Sequence, residues 1–463
     1  MSWKQESIHK LFNPESVAVV GASPRPESLG SLTFRALTNY NGKKYPVNPR
    51  YNSINDMKCY ESVTDIPNGV DLAILALGAR HTLEIMKECA QKQVRSAIIF
   101  AAGFKELGEE GAKLQRDLKE IANRGKIAVI GPNCLGAGNV RINLNATFFP
   151  HPAPLEKGSV SVISQSGGVS GLMLYRASEA DVGISKFASV GNRVNVDFND
   201  LIRYFREDSQ TSVLCIFVEG TGDARLMYEE MRRITPEKDI VVYKVGKTPA
   251  SKKAALSHTG SLAGNAMLYS AALKQAGATE VDSIQEMMDS AKVLSVQKTK
   301  GSGRRVAVIT HSLGIALIAA QTLEQNGMHL PEPSQETVAA VRNLLEMPVE
   351  IPISNPVDLL AKGWAEPDVF AKAFEIVLDD ANFDAVLTVF SPNFQPGIGG
   401  GMPAKAVVEA KKNGNKPVVS ILNAPRNRIP QGKKILEAGG IPTFASPERA
   451  AVALSTLLAG RSA

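Results

Sequence analysis

Three times along the chain an apolar, β-branched run gives way to a small polar turn and then to an amphipathic stretch. The runs are Ser16-Val17-Ala18-Val19-Val20, Ser159-Val160-Ser161-Val162-Ile163-Ser164 and Arg305-Val306-Ala307-Val308-Ile309-Thr310. Their starts, residues 16, 159 and 305, lie 143 and 146 residues apart. A run of this kind predicts a strand buried on both faces, and the turn that follows predicts the N-terminus of a covering helix. The recurrence therefore predicts three doubly wound α/β domains, one per run. Inside the first, strands are predicted at 44–47, 70–77, 96–100 and 127–130, separated by helical stretches at 81–93 and 111–124. This is β/α alternation around a mostly parallel sheet. Segments 151–158 and 297–303, rich in Pro, Lys, Gly and Ser, read as linkers, giving domains at 1–150, 151–298 and 299–463.

The length of 463 residues agrees with about three domains of ordinary size. Charged residues at 21% and hydrophobic residues at 44% exclude a disordered chain. The net charge of +6 includes no run of five like charges, so neither nucleic acid nor a membrane surface is expected as a partner. Small anionic ligands fit this balance. Stretches 158–175 and 306–323 lack Asp, Glu, Lys and Arg, but each breaks on a polar turn, so neither reads as a membrane span. Residues 1–13 carry Lys4, Glu6, His9 and Lys10 and lack the apolar core of a signal peptide. Cys59, Cys89, Cys134 and Cys215 stand far apart with no C-x-x-C spacing. Neither a disulfide framework nor a metal site is expected, and a reducing cytoplasm fits best.

Each predicted strand-to-helix turn offers free backbone N–H groups and a helix dipole to an anion. In the first, 21–30, Gly21, Ser23 and Gly30 stand where a phosphate would approach, although a tight turn needs glycine in any case. The spacing is not G-x-G-x-x-G, and the second strand leads through Asn48 to Arg50 rather than to an acidic residue. An NAD-dependent oxidoreductase is therefore disfavoured, and Arg50 suits an extra phosphate. The loop Gly131-Pro132-Asn133-Cys134-Leu135-Gly136 lies at the ligand-binding edge of the same sheet. Cys134 has no base near it in sequence and reads as a packing residue more readily than a nucleophile. In the second turn Ser164, Ser166, Gly167 and Gly168 form a further anion site, with Ser166 also readable as a simple N-cap. Downstream, His258 stands among hydroxyls and glycines, with Lys244, Lys247, Lys252 and Lys253 nearby in sequence. A neutral imidazole can take a phosphoryl group, and Glu219, at a strand end, is the candidate to orient the ring and stabilise its charge.

Nine motifs in order carry a family resemblance. They are the 11–23 segment, Tyr45-Pro46-Val47-Asn48-Pro49, Ala102-Gly103-Phe104, Gly131-Pro132-Asn133-Cys134, Ser164-Gln165-Ser166-Gly167, Ser189-Val190-Gly191-Asn192, Val218-Glu219-Gly220, Ser257-His258-Thr259-Gly260-Ser261 and Asn355-Pro356-Val357-Asp358-Leu359. The whole chain resembles the α subunit of the ADP-forming (NDP-forming) acyl-CoA synthetases, relatives of succinyl-CoA synthetase. The resemblance implies a Rossmann-like CoA-binding domain followed by two flavodoxin-like domains. It implies that His258 is phosphorylated during turnover and held by Glu219, with phosphate bound at 164–168. CoA would then meet Gly21, Ser23, Gly30, Asn48, Arg50, Asn133 and Cys134. Carboxylate, CoA and ATP are interconverted in such enzymes with acyl-CoA, ADP and phosphate by way of an acyl phosphate. Nothing in the chain looks like an ATP-grasp domain or a Walker A loop. ATP or ADP and Mg2+ are therefore expected on an ATP-grasp β subunit, in an α2β2 assembly. A non-catalytic acyl-CoA-binding or regulatory subunit of the same fold is the alternative.

Two features depart from the family pattern. Thr310-His311-Ser312-Leu313-Gly314 stands where Asn and a run of glycines are usual, so His311 reads either as a surface loop residue or as a second phosphate-handling histidine. The segment 397–401 is richer in glycine than expected, as a contact or as a flexible loop. His9, His81, His151 and His329 fall in no motif and read as structural. The acid substrate, and the choice of ADP over GDP, are not legible.

Overall fold

The computed structural model describes residues 2–149, 155–251, 265–297, 303–391, 403–424 and 430–459. They form two units, Met1–Met288 and Asp289–Ala463.

The first unit contains two large sheets. One is wholly parallel, in the order Lys43–Val47, Ser16–Val20, Leu72–Leu75, Ser96–Ile99, Ala128–Ile130. Every residue of Ser16–Val20 and Leu72–Leu75 is buried, as the unbroken apolar runs require when helices cover both faces. The order reverses between these two strands, and ligands bind beyond the carboxyl ends at such a reversal.

The other sheet has seven strands, in the order Thr279–Glu280, Asp239–Lys244, Val213–Val218, Lys157–Ser164, Ile184–Ser189, Gly136–Asn139, Leu144–Thr147. The first five are parallel, and the last two form an antiparallel hairpin on the sheet edge. This hairpin comes from the chain before residue 150, so that segment completes the second sheet rather than the first. One apolar core runs from Phe12, Val19, Ile74 and Ile98 through to Ile163, Leu214 and Val242, joining both sheets. The N-terminal helix Trp3–Phe12, capped by Ser2, packs into this joint. Its Phe12 ring stacks on Tyr204 at 5.1 Å, Gln5 Nε2 donates to Asp200 O at 3.0 Å, and Asn139 Nδ2 donates to Phe12 O at 3.0 Å. Asn195 closes the outer edge of the first sheet. Its Oδ1 accepts Val129 N at 2.9 Å, and its Nδ2 donates to Ile127 O at 2.9 Å, as a neighbouring strand would.

The second unit is built on a parallel five-stranded sheet, in the order Val357–Asp358, Val306–Thr310, Ala385–Phe390, Val418–Leu422, Thr443–Phe444. Here Asn355 plays the edge role, accepting Val308 N at 3.0 Å and donating to Val306 O at 2.8 Å. Asp289 meets Arg449 in a two-pronged ion pair at 2.6 and 2.7 Å. The two charge-free stretches each resolve into a strand and a helix, with helices Gly167–Glu179 and Leu313–Gln325. Among the described residues no helix is long and apolar enough to cross a membrane.

Candidate functional site

At the carboxyl edge of the seven-stranded sheet three loops lie side by side because their strands are neighbours. The turn after Lys157–Ser164 carries residues 164–168, the turn after Ile184–Ser189 carries Gly191 and Asn192, and the turn after Val213–Val218 carries Glu219 and Gly220. Glu219 is 6% exposed. Its turn is held from three directions. Gln165 Oε1 accepts the N–H groups of both Glu219 and Gly220 at 3.1 Å. The Lys244 ammonium, 1% exposed, donates to Glu219 O at 2.8 Å. Arg193 Nη1 donates to Gly220 O at 2.8 Å and to Asp197 Oδ1 at 3.2 Å. Four backbone groups that would otherwise want water are thereby satisfied by side chains, which fixes the direction in which Glu219 leaves the strand.

The loop 131–135 of the first sheet is bonded to the same edge. Asn192 N donates to Pro132 O at 2.9 Å, Val194 N to Gly131 O at 3.0 Å, and Leu135 N to Ser189 Oγ at 3.2 Å. Gly191 has φ +54, and a Cβ there would stand 2.3 Å from Pro132 O, so only glycine admits this approach. Between the loops lies a cavity of about 450 Å³. Asn133, Cys134, Ser166, Gly167 and Gly168 line it on one side, and Phe100, Phe148, Phe149 and Tyr175 supply an aromatic wall. The structure thus gathers two groups of predicted residues, one from each sheet, around one space.

Their individual states differ. Ser166 caps helix Gly167–Glu179, accepting Val169 N at 3.4 Å, so the helix N-terminus faces the cavity wall. Ser164 is buried and spends its hydroxyl on Ser166 O at 2.8 Å, shaping the turn from behind. The Cys134 thiol donates to Ile99 O at 3.3 Å, and burial pushes it up to about 12, so it stays protonated at neutral pH.

Gly21, Ser23, Gly30, Asn48 and Arg50 form a separate group at the carboxyl ends of Ser16–Val20 and Lys43–Val47. Asn48 Nδ2 donates to Ala22 O at 2.7 Å and its Oδ1 accepts Arg50 N at 3.0 Å, pinning one loop to the other. Gly21 has φ +86, and a Cβ on Gly30 would lie 2.1 Å from Gly21 O, so both glycines are needed by the turn itself. Ser28 caps the helix Leu29–Ala36 that follows. Arg50 is exposed.

His258 lies outside the described residues, as do Lys252, Lys253, His151 and the 397–401 segment. Lys247 is committed to Glu280 and Asp282 at 2.9 and 2.6 Å. His311 is half-buried in its loop rather than fully exposed. Its Nε2 accepts Ser391 N at 2.8 Å, its Nδ1 is enclosed, and its ring meets Phe370 edge-on at 5.7 Å. Burial lowers its pKa, partly opposed by Asp358. Gln165, Arg193 and Lys244 as holders of the Glu219 turn are absent from the sequence reading. Gln165 sits within a quoted motif, but only the pairing of strands shows what its amide reaches.

Residues 15–139 match the family described as CoA binding domain, and residues 157–294 that described as succinyl-CoA ligase like flavodoxin domain. The α subunit of ADP-forming acetate–CoA ligase II of Pyrococcus furiosus is 36% identical over 97% of this chain and 96% of its own length. The ADP-forming acetate–CoA ligase I of Archaeoglobus fulgidus is 38% identical over 97% of this chain, which spans 63% of that longer protein. Among solved structures, acetyl-coenzyme A synthetase 1 of Ca. Korarchaeum cryptofilum, in complex with phosphate and ADP, superposes with a TM-score of 0.87 at 31% identity, covering 98% of this chain and 96% of that one. Two matched domains in the expected order, and relatives above 30% identity along almost the whole of both sequences, place the chain in the family of ADP-forming acyl-CoA synthetases, as the counterpart of its α subunits.

Proposed function

We propose that the chain is the CoA-binding, phosphohistidine-carrying part of an acyl-CoA synthetase. In the direction of acyl-CoA breakdown, a phosphate oxygen attacks the thioester carbon, the C–S bond breaks, and CoA leaves as a thiolate that takes up a proton. The His258 imidazole then attacks the phosphorus, the bond to the carboxylate oxygen breaks, and the free carboxylate departs. The phosphoryl group passes from His258 to ADP. Backbone N–H groups at Ser166 and Gly167 stabilise the phosphoryl oxygens, and Glu219 orients and charge-stabilises the ring.

The observation that carries this reading is the shared cavity: the Asn133-Cys134 loop and the Ser166-capped helix N-terminus open onto one space, next to a Glu219 turn fixed by side chains. The aromatic wall suits the hydrocarbon part of a small acid or of the thioester arm. We assign CoA to the 21–30 loop and Arg50, because the loop leads into a helix N-terminus, Asn48 ties it to the Arg50 backbone, and N–H groups with a guanidinium suit phosphates. We place ATP or ADP and Mg2+ on an ATP-grasp partner in an α2β2 assembly, supported by relatives named as separate α subunits. Names of relatives as acetate–CoA ligases make acetate the first acid to try. Four buried free cysteines support a reducing cytoplasm. The boundaries 1–150, 151–298 and 299–463 remain our proposed division by sequence.

The test is phosphorylation from acetyl phosphate. The label should be acid-labile and base-stable, and lost in His258→Ala. A non-catalytic CoA-binding subunit would instead bind CoA and take no label. Label that persists in His258→Ala and disappears in His311→Ala would move the site to the second unit.

A further inference from the structure

A second cavity, of about 350 Å³, opens on the other side of Asn192. Its walls carry four cations, Lys105, Arg116, Lys119 and Arg193, against one carboxylate, Asp197. That carboxylate is already engaged by Arg193 at 3.2 Å. The acidic residues next to Arg116 and Lys119 on their own helix are also taken: Asp117 pairs with Lys113 at 3.9 Å and Glu120 with Arg124 at 3.5 Å. Among the described residues Lys105, Arg116 and Lys119 form no ion pair. The Lys105 pKa is lowered by burial and then by the Arg193 charge, against the opposing pull of Asp197 and of Glu106, whose carboxylate is itself taken up by Asn192 Nδ2 at 2.6 Å and Gly103 N at 2.7 Å. Gln115 completes the wall, its Oε1 occupied by Asn192 Nδ2 at 3.1 Å, which leaves its amide nitrogen as a further donor.

Cations gathered around a concave, partly desolvated space repel one another, and an anion in that space removes the repulsion. We infer that the cavity between Lys105, Arg116, Lys119 and Arg193 is a binding site for a phosphate group, separate from the Ser166-capped helix N-terminus. The guanidinium of Arg116 offers a fork for phosphate oxygens, and Lys105 and Lys119 offer point charges. The space exceeds one phosphate, so the group arrives free, on a nucleotide, or on the 3′-phosphorylated nucleotide end of CoA. Arg193 also holds Gly220 O, so an occupant bears on the Glu219 turn. That last consequence alone rests on the role proposed for Glu219.

The site is tested with the full chain by soaking crystals in tungstate, a phosphate analogue that anomalous scattering locates. The expected peak lies within hydrogen-bond reach of Lys105, Arg116 and Lys119. It should vanish in Arg116→Glu/Lys119→Glu, while a peak at the Gly167–Glu179 helix N-terminus persists. Both substituted side chains are exposed, and the milder Arg116→Gln/Lys119→Gln guards against misfolding. In calorimetry at low salt, inorganic phosphate, ADP and adenosine 3′,5′-bisphosphate identify the source, as the ligand whose Kd rises about tenfold or more in the double variant. An empty cavity in wild-type crystals whose helix N-terminus has filled would overturn the inference, as would unchanged Kd values for all three ligands. Phosphorylation of His258 is measured separately, and its failure would leave the tungstate result standing.

Discussion

Replacing Gln165 by Leu isolates the hold on the Glu219 turn, because one oxygen accepts two consecutive backbone N–H groups at 3.1 Å. Each buried donor left without an acceptor costs about 1–3 kcal/mol, so a sealed site would lose about 2–6 kcal/mol. Gln165 borders the 450 Å³ cavity, however, and water entering there can replace part of the loss, which brings the expectation to about 2 kcal/mol. The turn would still keep Lys244 and Arg193 on its carbonyl oxygens, so it should shift rather than unfold. A misplacement of this kind near reacting atoms slows chemistry on the order of a hundredfold. The assay combines urea unfolding, calorimetry with CoA, and the rate of labelling from acetyl phosphate. Gln165→Leu should unfold more easily, keep CoA affinity and label slowly. Gln165→Glu keeps an acceptor oxygen for both N–H groups, so it should recover most of the stability but not the rate, since its charge opposes that of Glu219. Wild-type stability together with a wild-type labelling rate in Gln165→Leu would refute the reasoning.

Other consequences can be checked more simply. Asn355→Ala removes three hydrogen bonds, to Val308 N, Val306 O and Pro331 O, and should destabilise the second unit by about 2–4 kcal/mol, read by denaturant unfolding. His311 is held neutral in the folded state, so its contribution to stability is complete above its unfolded value near 6.5 and is lost as pH falls below it. Unfolding midpoints from pH 8 to 5 should therefore drop less steeply in His311→Asn than in wild type, and parallel curves would contradict this. Arg50→Glu should weaken CoA binding without altering thermal stability, because the side chain is exposed, and NAD should bind poorly throughout. NAD binding tighter than CoA in calorimetry would replace the CoA reading of the 21–30 loop.

What the sequence disclosed follows from how local each signal is. The strands Ser16–Val20, Val306–Thr310 and the second half of Lys157–Ser164 are readable because a fully buried parallel strand writes its burial into consecutive residues. The turns after them are readable because capping and positive φ restrict residue choice at the turn itself. The hairpin Gly136–Asn139 with Leu144–Thr147 is not, because Gly138 is chosen by the Phe187 ring of the neighbouring strand, and Gly136 by the close approach of Ala146 across the hairpin, which only the formed pair brings about. The same holds for Gln165, whose partners are set by the neighbouring strand Val213–Val218. His311 looked exposed because the ring that covers it, Phe370, lies on a distant helix.

The hairpin also changes what a domain boundary means here. The chain crosses from one sequence-defined domain to the next near residue 150, but the hydrogen-bonded fabric crosses earlier, at Gly136. A fragment ending near residue 150 would carry two strands of a sheet it does not own, and a fragment starting there would present the bare edge of Ile184–Ser189. The two pieces are therefore the halves of a split protein: each lacks what the other displays, and strand addition is the means by which they would find one another.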